Sequence, residues 1–210
     1  MSADYFHRRN WDEYQWEKEI RRDERRISSY LRELSGCLDL PGEEEMIFNR
    51  LAADRDIIPV GATADSIRSW CYSGLDENRD SEETADARPG KDMVDFLDFL
   101  AAEWNFFISG IFEAGFSGAA LGVSCSYAKL LARAIDFVES DPVSELQLKL
   151  SLGKRMLADL NELIAMLKKF RKTTEKEAVA EYTAEHIVHL LRLRTGAADM
   201  MTYLRSNPVD

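Results

Sequence analysis

The chain has 210 residues, 45% hydrophobic and 31% charged, with a formal net charge of −11. It is long enough to bury a real core, and its balance is that of a globular protein rather than a disordered or fibrous one. A surface this acidic repels nucleic-acid phosphate and anionic lipid unless its charge is segregated. Residues 36–100 carry 16 acidic and 6 basic side chains, so nearly all of the excess sits there.

In chain order, Asn10 and Glu13 have the spacing of a capping box, which predicts a helix running to about Gly36. Its apolar stripe of Trp16, Ile20, Ile27, Tyr30, Leu31 and Leu34 is interrupted by Asp23 and Glu24, so the C-terminal half is expected to be the docked half. Lys18, Arg21, Arg22, Arg25 and Arg26 alternate with Glu13, Glu17, Glu19, Asp23 and Glu24, leaving the segment neutral and weighing against nucleic acid. Trp11, Trp16, Arg21 and Arg25 are residue types enriched at protein interfaces, and they are the candidate surface for a protein partner or for self-association.

Pro41 ends this element, and Glu43, Glu44 and Glu45 suit the positive end of the next helix dipole. Thr63 caps a short helix to about Ser73, closed by Gly74. The run LDENRDSEETADARPGK that follows is acidic and almost without apolar content, as expected of a flexible loop. Asp76, Asn78 and Asp80 match the first ligand positions of a calcium loop, but Ser81 stands where glycine is needed and Ala87 where glutamate is needed. The reading is an N-terminal helical lobe at 1–75, an acidic loop at 76–91 and a main helical bundle at 92–210.

From Asp92 onward, Phe96, Phe99, Leu100, Trp104, Phe107, Ile108, Ile111 and Phe112 recur at helical spacing, and Leu97 and Phe106 widen the apolar arc almost all round. Such a helix is expected to be buried by several neighbours. Gly115–Gly118 suggests a turn or a close helix contact, and a helix over about 119–139 presents Leu130, Leu131, Ile135 and Val138. Ala114, Gly118 and Gly122, four apart, make a smooth strip suited to close packing. Asp141-Pro142 opens the next helix, a capping acid followed by proline at the first helical position. Val143, Leu146, Leu150, Gly153, Leu157, Leu160, Ile164 and Leu167 keep the 3–4 register, flanked by a second row of Leu148, Leu152, Met156, Leu163, Met166 and Phe170. A long central helix near 142–172 follows, packed on both sides. Thr174 with Glu177 forms a capping box for a helix ending near Gly196, and Ala197 to Leu204 adds a short amphipathic tail. The fold class is all-α, a bundle of about five principal helices.

His186 and His189, with Glu185, share a face of that last helix and form the weak metal alternative. The order Glu-His-x-x-His matches neither the HExxH zinc pattern nor the Glu-x-x-His pairs of di-iron bundles, so the histidines are read as structural. Gly115 to Gly122 lacks phosphate-loop spacing, and neither a GxSxG turn nor a Cys–His pairing stands out. Lys168, Lys169, Arg171 and Lys172 close a helix where cations complement its dipole. Cys37, Cys71 and Cys125 are widely spaced, as in a reducing compartment. With no leading apolar segment and no uncharged run of membrane length, the expectation is a cytoplasmic protein without membrane contact. The function expected is a non-enzymatic interaction or scaffold protein without cofactor, possessing a self-association surface on its N-terminal helix. The alternative is a small-molecule or metal-binding bundle, an enzyme among the options, whose cavity Trp104, Phe107 and Phe112 would line.

Overall fold

The computed structural model describes residues 11–37, 40–54, 57–58, 90–111 and 117–207. Among them are six helices and no strand: α1 Glu13–Cys37, α2 Glu43–Leu51, α3 Lys91–Ile111, α4 Ser117–Glu139, α5 Leu146–Thr173 and α6 Glu177–Ser206. The all-α expectation holds. None of these helices is long and apolar enough to cross a membrane. Asn10, Phe112, the helix expected from Thr63 and the acidic loop up to Pro89 lie outside the described residues. The chain divides into two compact units, one of Met1–Glu17 with Ala87–Asp210 and the other Lys18–Asp86.

In the larger unit α5 packs against both α4 and α6, and α4 also packs against α3. Contacts reverse in register along each neighbouring pair. Lys129 meets Asp159 while Ser126 meets Met166 across α4 and α5. Phe96 meets His189 while Phe107 meets Tyr182 across α3 and α6. Adjacent helices are therefore antiparallel, an up-down-up-down bundle that suits the short links between them. Its centre is filled by Leu100, Trp104, Tyr127, Phe137, Met156, Leu163, Leu167 and Leu190, all fully or almost fully buried.

Both apolar rows of α5 are used: Leu150, Leu160, Ile164 and Leu167 are buried from one, and Leu152, Met156, Leu163 and Phe170 from the other. The close approach falls at Gly153, where a Cβ would collide with Met201 Sδ and lie 2.9 Å from Phe137 Cε2. The small-residue strip is only partly used for packing. Gly122 would bring a Cβ to 3.2 Å from Met166 Cε, whereas Gly118 faces open space.

Several boundaries differ from the sequence reading. Asp141 caps a turn rather than a helix: its carboxylate accepts from Val143 N at 3.0 Å and from Ser144 N at 3.1 Å, and α5 begins only at Leu146. These bonds hold the Asp141 carboxyl below its usual range. The Thr174–Glu177 box does not form; Thr174 ends α5, and α6 starts after Lys176 without a side-chain cap. Gly196 does not stop α6, because Ala197, Met201 and Leu204 beyond it are buried and carry the helix on to Ser206. Nor is α3 buried all round: Phe99 is 52% and Phe106 84% exposed, since its neighbours lie on one side. On α4 the core face is Ala120, Val123, Tyr127, Leu130, Ala134 and Phe137, with Ile135 exposed.

A buried lysine joins two helix ends. Lys149 Nζ, on the first turn of α5, donates to the carbonyls of Val138 at 3.2 Å and Ser140 at 2.7 Å, satisfying acceptors that α4 leaves open at its end. Burial lowers its pKa, against the opposing charges of Asp141 and Glu145.

Gly153→Val overpacks the α4–α5–α6 junction and is expected to cost about 1–3 kcal/mol. The measurement is the urea unfolding midpoint, which falls while the slope of the transition is unchanged.

Candidate functional site

Two places in the structure combine chemistry with unusual placement: the aromatic centre of the bundle and the outer face of α1.

At the bundle centre α4 and α6 each contribute a polar side chain to an otherwise apolar layer. Tyr127 is 1% and His186 2% exposed, and Tyr127 Oη lies 2.7 Å from His186 Nδ1. Trp104, Tyr182, Phe107 and Phe170 complete the cluster. Trp104 stands edge-on to His186 at 5.8 Å and to Phe170 at 5.5 Å, Tyr182 is 4.6 Å from His186, and Phe107 stacks on Tyr182 at 3.9 Å. Trp104 Nε1 donates to Ala120 O at 3.3 Å.

Burial sets the protonation states. It raises the Tyr127 pKa, with Tyr182 and Glu103 adding in the same direction, so the phenol keeps its proton. Tyr182 is pushed up to about 12 by burial and then by Glu103 and Glu185. His186 is held down at about 4 by burial and then by His189. The phenol and the neutral imidazole share one hydrogen bond through Nδ1, with the donor set by the tautomer, and the remaining ring nitrogen is Nε2. That nitrogen is buried and has no hydrogen-bond partner among the described residues. Both side chains of the pair are buried among these rings. What the pair does is fix α4 against α6, because a shift along either helix would leave two buried polar groups unpaired.

The residues of the metal alternative do not converge. His186 points into this cluster, His189 packs edge-on against Phe96 at 5.4 Å, and Glu185 is exposed. No group of three His, Cys, Asp or Glu side chains able to hold a metal occurs among the described residues. Trp104 and Phe107 meet each other, and Phe107 also stacks on Tyr182. An open groove of about 280 Å³ lies elsewhere, between α3 and α6, and is lined by Met93, Phe96, Leu193 and Met200 with Arg192 and Gly196.

α1 is opened by a reciprocal capping box two residues later than Asn10 suggests. Gln15 N donates to Asp12 Oδ1 at 2.8 Å, and Asp12 N donates to Gln15 Oε1 at 2.9 Å. Trp11 and Trp16 are half-buried and touch edge to face at 5.0 Å, so they are less exposed than interface anchors would be, while Arg21 and Arg25 are exposed.

Along the rest of α1 the polarity is inverted relative to the expectation of a docked C-terminal half. The inward side is the polar row Glu19, Arg22, Arg26, Ser29, Glu33 and Cys37, with Ser29 and Cys37 buried. Arg26 explains this. Its Nε donates to Ile57 O at 2.7 Å, and its Nη1 reaches Glu19 Oε1 at 3.3 Å and the carboxylate of Asp23. Arg50 adds a 3.2 Å bond to Glu33. Three residues of the apolar stripe are left outside, Ile27 at 61%, Leu31 at 57% and Tyr30 at 39% exposed, whereas Ile20 of the same stripe is buried and Trp16 and Leu34 are half-buried. Sequence periodicity locates these three residues but assigns them to the wrong side, because it registers no signal for a guanidinium that spans to a distant carbonyl.

No protein family, curated protein or solved structure matches this chain.

Tyr127→Phe leaves His186 Nδ1 unpaired and is expected to destabilise the bundle by about 1–3 kcal/mol. The His186 pKa is lower folded than its ordinary value of 6.5, so the unfolded chain takes up the proton first. His186 therefore contributes full stability above pH 6.5, progressively less as the pH falls towards 4, and no further change below that. Thermal melts over this window should show a shallower acid dependence for His186→Leu than for the parent; equal slopes would rule out this assignment.

Proposed function

We propose that this chain is a non-enzymatic helical interaction protein, with the outer face of α1 as its binding surface. The observation that carries the reading is the exposed stripe of Ile27, Tyr30 and Leu31 on a helix whose opposite, polar side is bonded inward. Burying an isoleucine or leucine side chain is worth about 1.5–3 kcal/mol, and more than half of that remains unrealised at Ile27 and at Leu31. Residues at i, i+3 and i+4 are the spacing with which a helix presents anchors to a groove or to a second helix. Arg21 and Arg25, exposed on the adjoining face, supply the charged rim that such surfaces carry.

A small-molecule reading has one observation in its favour, the apolar groove between α3 and α6 with Arg192 at its side. That lining suits a ligand with an apolar body and an anionic head, and native mass spectrometry of the purified chain would reveal it as a co-purifying mass.

The interaction reading is tested with a photo-reactive side chain in place of Leu31, and in place of Tyr203 as an equally exposed control, in cells that naturally make the protein. The expected result is a discrete protein adduct at position 31, in clear excess over position 203 and abolished by Ile27→Asp. Equal labelling at both positions would refute the reading.

A further inference from the structure

Resting on that reading of α1 as a protein interface, we propose that its occupant is a second copy of the chain, paired antiparallel α1 to α1 about a two-fold axis beside Ser28. The argument comes from the row that borders the apolar stripe. Glu24, Ser28 and Arg32 stand at i, i+4 and i+8, so they form one line along the helix, with an acid at one end, a small hydroxyl in the middle and a cation at the other. Arg32 is 73% exposed on its side chain, Ser28 is exposed and Glu24 is half-buried. Such a line is self-complementary under a two-fold rotation. Turned end for end, Glu24 of each copy faces Arg32 of the other, and Ser28 faces Ser28.

The same rotation serves the apolar stripe. With Ser28 on the axis, Ile27 of one copy falls opposite position 29 of the other, one residue rise from the partner's Tyr30 and two from its Leu31, each rise being about 1.5 Å. The exposed side chains then interdigitate instead of facing charge. A parallel pairing would place Glu24 against Glu24 and Arg32 against Arg32, which like-charge repulsion disfavours. An isologous contact of this kind closes on itself and needs no second surface. Arg32 also lies 3.5 Å from Glu33 of its own helix, and its guanidinium has enough donors to serve both carboxylates.

The contacting patch is small. It falls below the area of about 1,200 Å² typical of stable complexes, and the chain's net charge of −11 opposes association at long range. The dimer is therefore weak and reversible, and it forms as concentration rises.

Sedimentation equilibrium of the full chain over about 10–500 µM, the range of such weak contacts, should show the average mass rising towards twice that of the monomer. Glu24→Arg or Arg32→Glu alone should weaken association by about tenfold, and combining the two should restore it to within about threefold of the parent. Circular dichroism confirms that each variant keeps its helix content. In chains carrying Cys71→Ser and Cys125→Ser, a mixture of Glu24→Cys and Arg32→Cys should form a mixed disulfide, whereas neither forms a dimer alone. A monomer throughout the range, a double variant no better than the singles, or homodimeric disulfides at 24 or at 32 would overturn the pairing. A monomeric chain that still gives position-31 adducts with a different protein would leave the interface reading standing and remove only the second copy.

Discussion

The larger unit depends on one constraint: α5 has two apolar rows and must bury both. A helix that is apolar on two sides is stable only between two neighbours, and α4 and α6 supply them. Gly153 sets how closely they come, since its missing side chain admits Met201 from one side and Phe137 from the other. From that junction the antiparallel links carry α3 and the N-terminal turn of α1 into place. Glu13 at that turn accepts from Ser151 through its carbonyl at 2.8 Å and pairs with Lys154 at 2.8 Å and Arg205 at 3.3 Å.

Within this greasy interior a few polar groups are retained, and each has a positional task. Lys149 closes the open carbonyls at the end of α4, and the Tyr127–His186 bond fixes the register of α4 on α6. Asp159, 4% exposed on its side chain, is held by Lys129 at 2.7 Å with Arg133 at 3.9 Å. Apolar side chains slide past one another at small cost, whereas a buried donor or acceptor that loses its partner costs about 1–3 kcal/mol. These few bonds therefore select one arrangement among several that hydrophobic burial would tolerate. His186, which the sequence offers as a weak metal ligand, is among these buried groups.

Function is therefore sought on the outside, and α1 is the element whose exterior departs most from what burial alone would dictate. Its Arg26 bonds inward to carboxylates and to a backbone carbonyl, and Ile27, Tyr30 and Leu31 remain outside. An arginine can satisfy several acceptors at once over a long reach, so a helix can be seated by its polar side when carbonyls and carboxylates converge there. Ile27, Tyr30 and Leu31 are then left on the outer side.

Periodicity alone was sufficient for the helical class, for the two-sided packing of α5 and for the placement of Leu150, Leu160, Leu163 and Leu167 in the core. These follow from side-chain spacing along one helix, which is a local property. Only the tertiary structure decided that Tyr127 meets His186, 59 positions away in the chain, that Phe106 stays in solvent, and that α6 runs on through Gly196. It likewise decided which side of α1 turns inward. The physical reason is common to all four. Burial of a face depends on where the neighbouring helices stand, and a polar bond between distant residues has no period to reveal it.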